Sequence, residues 1–224
     1  MQVKVCGITN IEQAQALDAM GVHYIGFIFY PSSKRYVLNS LSVSDLQHFK
    51  TTGAKKVGVF VNESLDNLLN IVKEAGLDMV QLHGDEDLTY CEKVKEHVSV
   101  VKVFRVGALV PMMDGFDQVA DYFLFDTDSA LYGGTGQHFN WEIIKNQTMA
   151  KPYFLSGGIG PNDLGGIEVM KQTKAGKTLV ALDINSQFEE TPGIKNLEKI
   201  KSNSLPDSIR TMTFDEFKNW IECE

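Results

Sequence analysis

The sequence predicts a single-domain (β/α)8 (TIM) barrel of the α/β class, with an extra C-terminal helix. Eight short apolar runs, rich in β-branched residues, alternate with amphipathic stretches along the 224 residues. Several runs are almost continuously apolar rather than alternating, which is typical of parallel strands covered on both faces. Eight strand–helix units close into a barrel, and this chain length is ordinary for one such domain.

The apolar runs give the predicted strands, which cover residues 3–6, 24–29, 56–61, 79–82, 98–104, 122–125, 153–155 and 179–182. Polar or ionisable residues stand at or just after the ends of most runs, among them Cys6, Asn62, His83, Arg105, Asp126 and Asp183. Barrel enzymes carry their active sites at the C-terminal ends of the strands. These side chains are therefore expected to converge on one rim.

The intervening stretches have helical spacing and recognisable ends. Residues 11–20 place apolar side chains on one face before Gly21, Ser42 or Ser44 caps a helix at 45–49, and Ser64 and Gly76 bracket another. Helical patterns also cover residues 87–94, 162–170 and 214–221. The prediction is one barrel domain over residues 1–224, with 206–224 as a helical extension of that domain.

Composition excludes several classes of function. The formal net charge of -8 and the pI near 5.2 argue against non-specific binding to nucleic acid or anionic membranes, although a local positive pocket for an anionic substrate stays possible. No apolar run approaches the roughly 18 residues of a membrane helix, and the N-terminus resembles no signal peptide. We expect a cytoplasmic protein.

The three cysteines, Cys6, Cys91 and Cys223, fit neither a disulfide framework nor a zinc site. Cys6 ends the first strand and is followed by Gly7, so it is either a buried strand residue or a proton-transfer base. Asp126 closes the sixth strand and is either a loop cap or a general acid whose pKa is raised by apolar surroundings. Their expected position on one rim favours an acid–base pair.

Two glycine-rich runs indicate an anion site. The segment Gly133-Gly134-Thr135-Gly136 follows the sixth strand, and Ser156-Gly157-Gly158 follows the seventh and leads into a helix. Exposed backbone amides suit an anion, and barrels often bind phosphate with the loops after strands seven and eight. The alternative is that both runs are tight turns.

Three further side chains are candidates for substrate contact. Arg35 lies in the loop after the second strand, where it either forks onto a carboxylate or is a solvated charge. Gln81 and His83 share one strand face by the period of two. His83 is either a hydrogen-bonded structural histidine or a substrate ligand. No metal-ligand spacing and no dinucleotide or Walker motif is present in the sequence.

Taken in chain order, these motifs resemble the phosphoribosylanthranilate isomerase family of tryptophan biosynthesis. The resemblance covers nearly the whole chain and rests on Lys4-Val5-Cys6-Gly7-Ile8-Thr9, Arg35-Tyr36-Val37, Gln81-Leu82-His83-Gly84, Gly133-Gly134-Thr135-Gly136 and Pro192-Gly193-Ile194-Lys195. Three positions depart from the family pattern: Lys34 precedes the arginine, Gln187 stands where a glycine is usual, and Asn196 stands where an aspartate is usual.

The resemblance implies a cofactor-independent, metal-free Amadori rearrangement of N-(5-phosphoribosyl)anthranilate by a monomer or homodimer. In the family's mechanism the aspartate matching Asp126 is the general acid and the cysteine matching Cys6 is the general base. The resemblance further implies that the substrate-binding residues are Arg35, Gln81, His83 and Asp183, and that the phosphate-binding residues are Gly157, Gly158, Ser186 and Gln187.

Two rival interpretations remain at this point. Another phosphate-binding barrel enzyme, such as an indole-glycerol-phosphate synthase or a sugar isomerase of histidine biosynthesis, is expected to use lysine, glutamate or paired aspartates at the rim. A catalytically silent barrel that binds a phosphorylated ligand is the second rival. The sequence places no obvious lysine or histidine beside Cys6, so the amides of Gly7 and its neighbours are expected to stabilise the thiolate.

Overall fold

The computed structural model describes residues 1–128 and 139–200. Eight parallel strands pair in chain order and close into a barrel, since the eighth strand pairs with the first. The predicted (β/α)8 barrel is confirmed. The strands are β1 Gln2–Val5, β2 Tyr24–Ile28, β3 Lys55–Phe60, β4 Met79–Leu82, β5 Ser99–Val106, β6 Tyr122–Thr127, β7 Tyr153–Leu155 and β8 Leu179–Ile184.

Three strands extend two residues further than their apolar runs predict, namely β5, β6 and β8. Backbone pairing continues through their polar ends, where Arg105 is the register partner of Asp126 and Lys4 is that of Asp183. Both aspartates therefore lie inside strands rather than in the loops that follow. A strand fixes the direction of a side chain more tightly than a loop does, which suits residues that work in a set geometry.

The helices largely follow the predicted caps. Ser42, rather than Ser44, caps the second helix and forms a capping box with Asp45; Ser64 caps the third, which ends at Gly76 with φ of 63°. The helices are α1 Ile11–Ala19, α2 Val43–His48, α3 Leu65–Ala75, α4 Leu88–Lys95, α5 Phe116–Val119, α6 Leu164–Lys171 and α7 Leu197–Ile200.

Two connections differ from the prediction of a helix in every unit. In the described part of the connection between β6 and β7, one short 3₁₀ helix, Trp141–Ile143, is formed. After β8 the chain forms an unpredicted antiparallel pair, β9 Glu189–Thr191 and β10 Ile194–Lys195. The loop at 133–136 and the extension at 206–224 lie outside the described residues, so those two predictions stay untested.

The apolar core has two layers. The larger layer lies between the strands and the helices. The smaller one fills the barrel interior, where the side chains come from inward-facing positions of successive strands and pack against one another: Tyr24, Val57, Met79, Val101, Val103, Leu124, Phe154 and Ala181. Inward positions recur every second residue along a strand. The next inward positions towards the C-terminal ends are those that carry the polar side chains.

A buried carboxylate helps to close the opposite, N-terminal end of the barrel. Asp18, at the end of α1, accepts hydrogen bonds from the backbone amides of Thr52, Gly53 and Ala54 and from the Thr52 hydroxyl, at 2.6 to 3.2 Å. Burial opposes ionisation, but these hydrogen bonds prevail and hold the pKa of Asp18 below its ordinary value. The loop before β3 is thereby fastened to α1.

Two findings bear on the excluded functions. Within residues 1–128 and 139–200, no helix is long and apolar enough to cross a membrane, and no three His, Cys, Asp or Glu side chains are grouped so as to hold a metal ion. Cys91 is a free thiol, wholly buried in α4. Its place is that of a small apolar core residue, which agrees with the absence of a predicted role for it.

Candidate active site

Inward-facing positions at the C-terminal ends of four strands bring ionisable side chains into one mouth. Cys6 comes directly after β1 and two residues after Lys4, and His83 comes directly after β4 and two residues after Gln81. Asp126 and Asp183 each follow an interior apolar residue by two on β6 and β8. All six of these side chains are buried. The structure thus brings the two predicted catalytic residues and three of the predicted substrate-binding residues to one end of the barrel.

Cys6 has a buried lysine beside it, which corrects the expectation that no cation is near. Lys4 donates to Asp183 Oδ1 at 2.9 Å, and its charge also acts on the Cys6 thiol. Burial raises the pKa of Cys6 above its ordinary value and the Asp183 carboxylate adds to the rise, while the Lys4 ammonium opposes it. A side-chain cation, rather than the amides of Gly7 alone, therefore favours the thiolate.

A second buried cation, from the segment after β8, acts on the same thiol through its charge. Lys195, on β10, donates to Glu189 Oε1 at 2.7 Å and to Asn185 Oδ1 at 2.6 Å, and its charge opposes the rise in the pKa of Cys6. The lysine belongs to the Pro192-Gly193-Ile194-Lys195 segment, for which the sequence suggested no chemical role. Its position depends on the unpredicted β9–β10 pair.

Arg35 is held by a carboxylate that the sequence analysis did not identify. Its Nε lies 2.9 and 3.0 Å from the two carboxylate oxygens of Glu189, and its Nη2 lies 2.6 Å from Oε2. Gly7, with φ of 76°, leaves room for this side chain, because a Cβ there would lie 2.6 Å from Arg35 Cδ. The pairing fixes one edge of the guanidinium and leaves Nη1 outside it.

Asp126 is contacted from two sides. Its Oδ1 accepts from the backbone amide of Thr127 at 2.9 Å, and its Oδ2 lies 3.2 Å from His83 Nε2. The other ring nitrogen, Nδ1, lies 2.9 Å from Gln81 Nε2. Two of the four residues predicted to bind substrate, Gln81 and His83, are therefore engaged with each other, and His83 lies against the candidate acid.

The loops after β7 and β8 meet, as a shared phosphate site requires. Gly157 and Gly158 have φ of 94° and 68°, and a Cβ on Gly157 would lie 2.4 Å from Thr127 Oγ1. Ser186 and Gln187 lie in a 3₁₀ helix, Ser186–Phe188, and Gly160 packs against Gln187. The two loops therefore touch at Gly160 and Gln187, and the backbone at Gly157 and Gly158 needs the freedom that glycine has.

The fold and this mouth define a (β/α)8-barrel enzyme whose ionisable strand-end residues form the site. The family model described as N-(5'-phosphoribosyl)anthranilate (PRA) isomerase matches residues 3–203. The chain belongs to this family. It is accordingly an isomerase of tryptophan biosynthesis, and the rival barrel enzymes are set aside.

Individual relatives agree with the family match. The N-(5'-phosphoribosyl)anthranilate isomerase of Phocaeicola vulgatus is 37% identical over 88% of this chain and 92% of its own. The crystal structure of the Thermotoga maritima enzyme is 31% identical, with a TM-score of 0.74 over 99% of this chain and 97% of its own. Another such enzyme, in complex with reduced 1-(o-carboxyphenylamino)-1-deoxyribulose 5-phosphate, is 28% identical with a TM-score of 0.67, covering 100% and 97% of the two chains.

Proposed function

We propose that this chain converts N-(5-phosphoribosyl)anthranilate to 1-(2-carboxyphenylamino)-1-deoxyribulose 5-phosphate, with Asp126 as general acid and Cys6 as general base. One observation carries the proposal. The only change the substrate needs is a set of proton transfers around a sugar, and the mouth holds a buried thiol and a buried carboxyl group on inward strand positions. Asp183 links them, because its charge interacts with both Asp126 and the Lys4–Cys6 pair.

The reaction balances without any added group. Asp126 gives its proton to the furanose ring oxygen as the bond from that oxygen to C1 breaks, which leaves a protonated Schiff base at C1. The Cys6 thiolate then takes the proton from C2, and the electron pair forms the enolamine. C1 gains a proton while the C2 hydroxyl loses one, so that the enolamine becomes the aminoketone and both side chains return to their starting states.

The ends of the substrate are matched by separate groups. The anthranilate carboxylate is assigned to Arg35, whose Nη1 remains outside the Glu189 pairing. The phosphate is assigned to the turns that contain Gly157, Gly158, Ser186 and Gln187, and the sugar hydroxyls to Asp183. The relative that binds the reduced product carries all three kinds of group on its ligand, which supports the same assignment here.

The two buried lysines give the thiolate its support. With Arg35, the cations Lys4 and Lys195 outnumber the carboxylates Asp183 and Glu189 by one. A thiolate on Cys6 brings these six groups to neutrality. A buried charge costs much less free energy when an opposite charge pairs with it than when it is isolated. The surplus positive charge beside Cys6 therefore lowers the cost of forming the thiolate that acts as the base.

The test follows the loss of the substrate's anthranilate-type fluorescence when it is mixed with purified protein. Cys6→Ser and Asp126→Asn are each expected to lower kcat by about 10²–10⁴-fold, the usual worth of one general acid or base, with the unfolding midpoint unchanged. A Cys6→Ser protein with near-normal kcat removes the base assignment. Unchanged single-turnover chemistry in Asp126→Asn removes the acid assignment.

A further inference from the structure

A row of three side chains leads from the barrel interior to the proposed acid. It consists of Gln81, His83 and the acid itself, Asp126. Gln81 Nε2 lies 2.9 Å from His83 Nδ1, and His83 Nε2 lies 3.2 Å from Asp126 Oδ2. The three residues are buried, with whole-residue exposed fractions of 1%, 9% and 8%. Each ring nitrogen of His83 thus faces a protein group rather than open solvent.

Two atoms of this row make no hydrogen bond within the described residues. They are Gln81 Oε1 and His83 Nε2, although Nε2 lies only 3.2 Å from Asp126 Oδ2. A buried polar atom without a partner costs about 1–3 kcal/mol. Catalytic hydrogen bonds are often poorly aligned before substrate binds, and such unpartnered atoms suit groups whose partners change during a reaction.

The chemistry of the three groups allows one arrangement that serves both states of the acid. When Asp126 is a carboxylate, a proton on His83 Nε2 donates to Oδ2, and the bare Nδ1 accepts from the Gln81 amide nitrogen. When Asp126 is a neutral acid with its proton on the other oxygen, Oδ2 is the carbonyl oxygen and still accepts from Nε2. The same histidine tautomer and the same Gln81 orientation are therefore kept while Asp126 loses and regains its proton.

We propose that His83 and Gln81 are positioning residues that hold the acid Asp126 in both of its protonation states. The inference rests on the proposed function, since it needs Asp126 to lose and regain a proton. It moves the two residues from direct substrate contact to the support of the acid step. Neutral His83 then serves both states, and no additional charge is placed in the mouth.

The test is a single-turnover kinetic isotope effect with substrate deuterated at ribose C2. Gln81→Met removes the amide donor to His83 at similar side-chain length, and His83→Phe removes both ring nitrogens. Each is expected to lower the single-turnover rate by about ten- to a hundred-fold, less than loss of the acid itself, and to lower the isotope effect because ring opening becomes slower than C2 proton removal. His83→Gln, which keeps a donor and an acceptor, is expected to recover part of the rate.

The outcomes separate this inference from the proposed function. A slower rate with an unchanged or larger isotope effect, or a higher KM with unchanged kcat, places His83 and Gln81 on the base or the substrate and overturns the inference. Native rates in both variants overturn it too. If Asp126→Asn itself keeps its native rate, the proposed function fails first. Tyr153→Phe is the control, because the Tyr153 hydroxyl has no hydrogen-bond partner among the described residues.

Discussion

Buried carboxylates lie at both ends of the barrel, and the two ends treat them differently. At the N-terminal end, Asp18 accepts four hydrogen bonds from Thr52, Gly53 and Ala54, and these hold its pKa below the ordinary value. At the mouth, burial raises the pKa of Asp183, although Lys4 opposes the rise. At the N-terminal end, backbone amides supply most of the hydrogen bonds to the carboxylate. At the mouth, the carboxylate interacts mainly with the charges of other ionisable side chains.

The difference separates stability from chemistry. Backbone amides cannot change their charge, so a carboxylate that they satisfy is a fixed structural link. Side chains that share charge, as Lys4, Cys6 and Asp183 do, respond when any one of them gains or loses a proton. The apolar interior layer lies between the two ends and lets each be changed without the other.

The largest expected effect on stability comes from breaking that interior layer. Phe154 is fully buried, and its ring centroid lies 4.9 Å from that of Tyr24 and 5.6 Å from that of Tyr122. Phe154→Ala is expected to lower the free energy of unfolding by about 3–5 kcal/mol through lost burial and a cavity. Denaturant titration measures this, with Tyr153→Phe as the neighbouring control.

Turnover per folded molecule of Phe154→Ala is expected to stay within a few-fold of native, because the mouth residues sit on other strand positions. A folded Phe154→Ala protein that has lost its kcat as completely as Cys6→Ser contradicts the separation of the two ends. Unchanged stability contradicts the role of the interior layer.

A smaller effect is expected at the N-terminal end, and it depends on pH. Asp18→Asn is expected to cost about 1–3 kcal/mol at neutral pH, since the amide cannot accept all four hydrogen bonds. The folded pKa of Asp18 is lowered, so its contribution is present above the unfolded pKa of about 3.9 and is lost as pH falls through the folded value. Asp183, whose pKa is raised, has the opposite sign.

Urea titrations of native and Asp18→Asn protein at neutral and at acidic pH measure this contribution. The gap between the two proteins is expected to close in acid. A gap that persists at low pH shows that Asp18 acts through packing rather than through its charge.

The sequence predicts the fold and the proposed acid–base pair because both predictions depend on local patterns. Apolar runs place the strands, and their ends place Cys6 and Asp126. The period of two that was applied to Gln81 and His83 also puts Lys4 on the same face as Cys6, so that neighbour was within reach of sequence reasoning.

The roles of Glu189 and Lys195 could not be predicted from the sequence in the same way. The pairing of Glu189 with Arg35 and the influence of the Lys195 charge on the Cys6 thiol both depend on the β9–β10 pair. Both interactions join residues more than 150 positions apart in the chain, and no local period specifies them. The last two residues of β6 and the last two of β8 were missed for a related reason. Backbone pairing in these strands continues beyond the end of the apolar run.

The pH dependence of Cys6 alkylation, followed site by site with mass spectrometry, tests most directly whether the charges of the mouth support a thiolate. The comparison is native protein, Lys195→Met, and Lys55→Met, which removes the same charge from an exposed position at the N-terminal end of β3. Lys195→Met leaves Glu189 paired with Arg35. The account predicts a midpoint shifted to higher pH in Lys195→Met alone; equal midpoints in all three proteins contradict it.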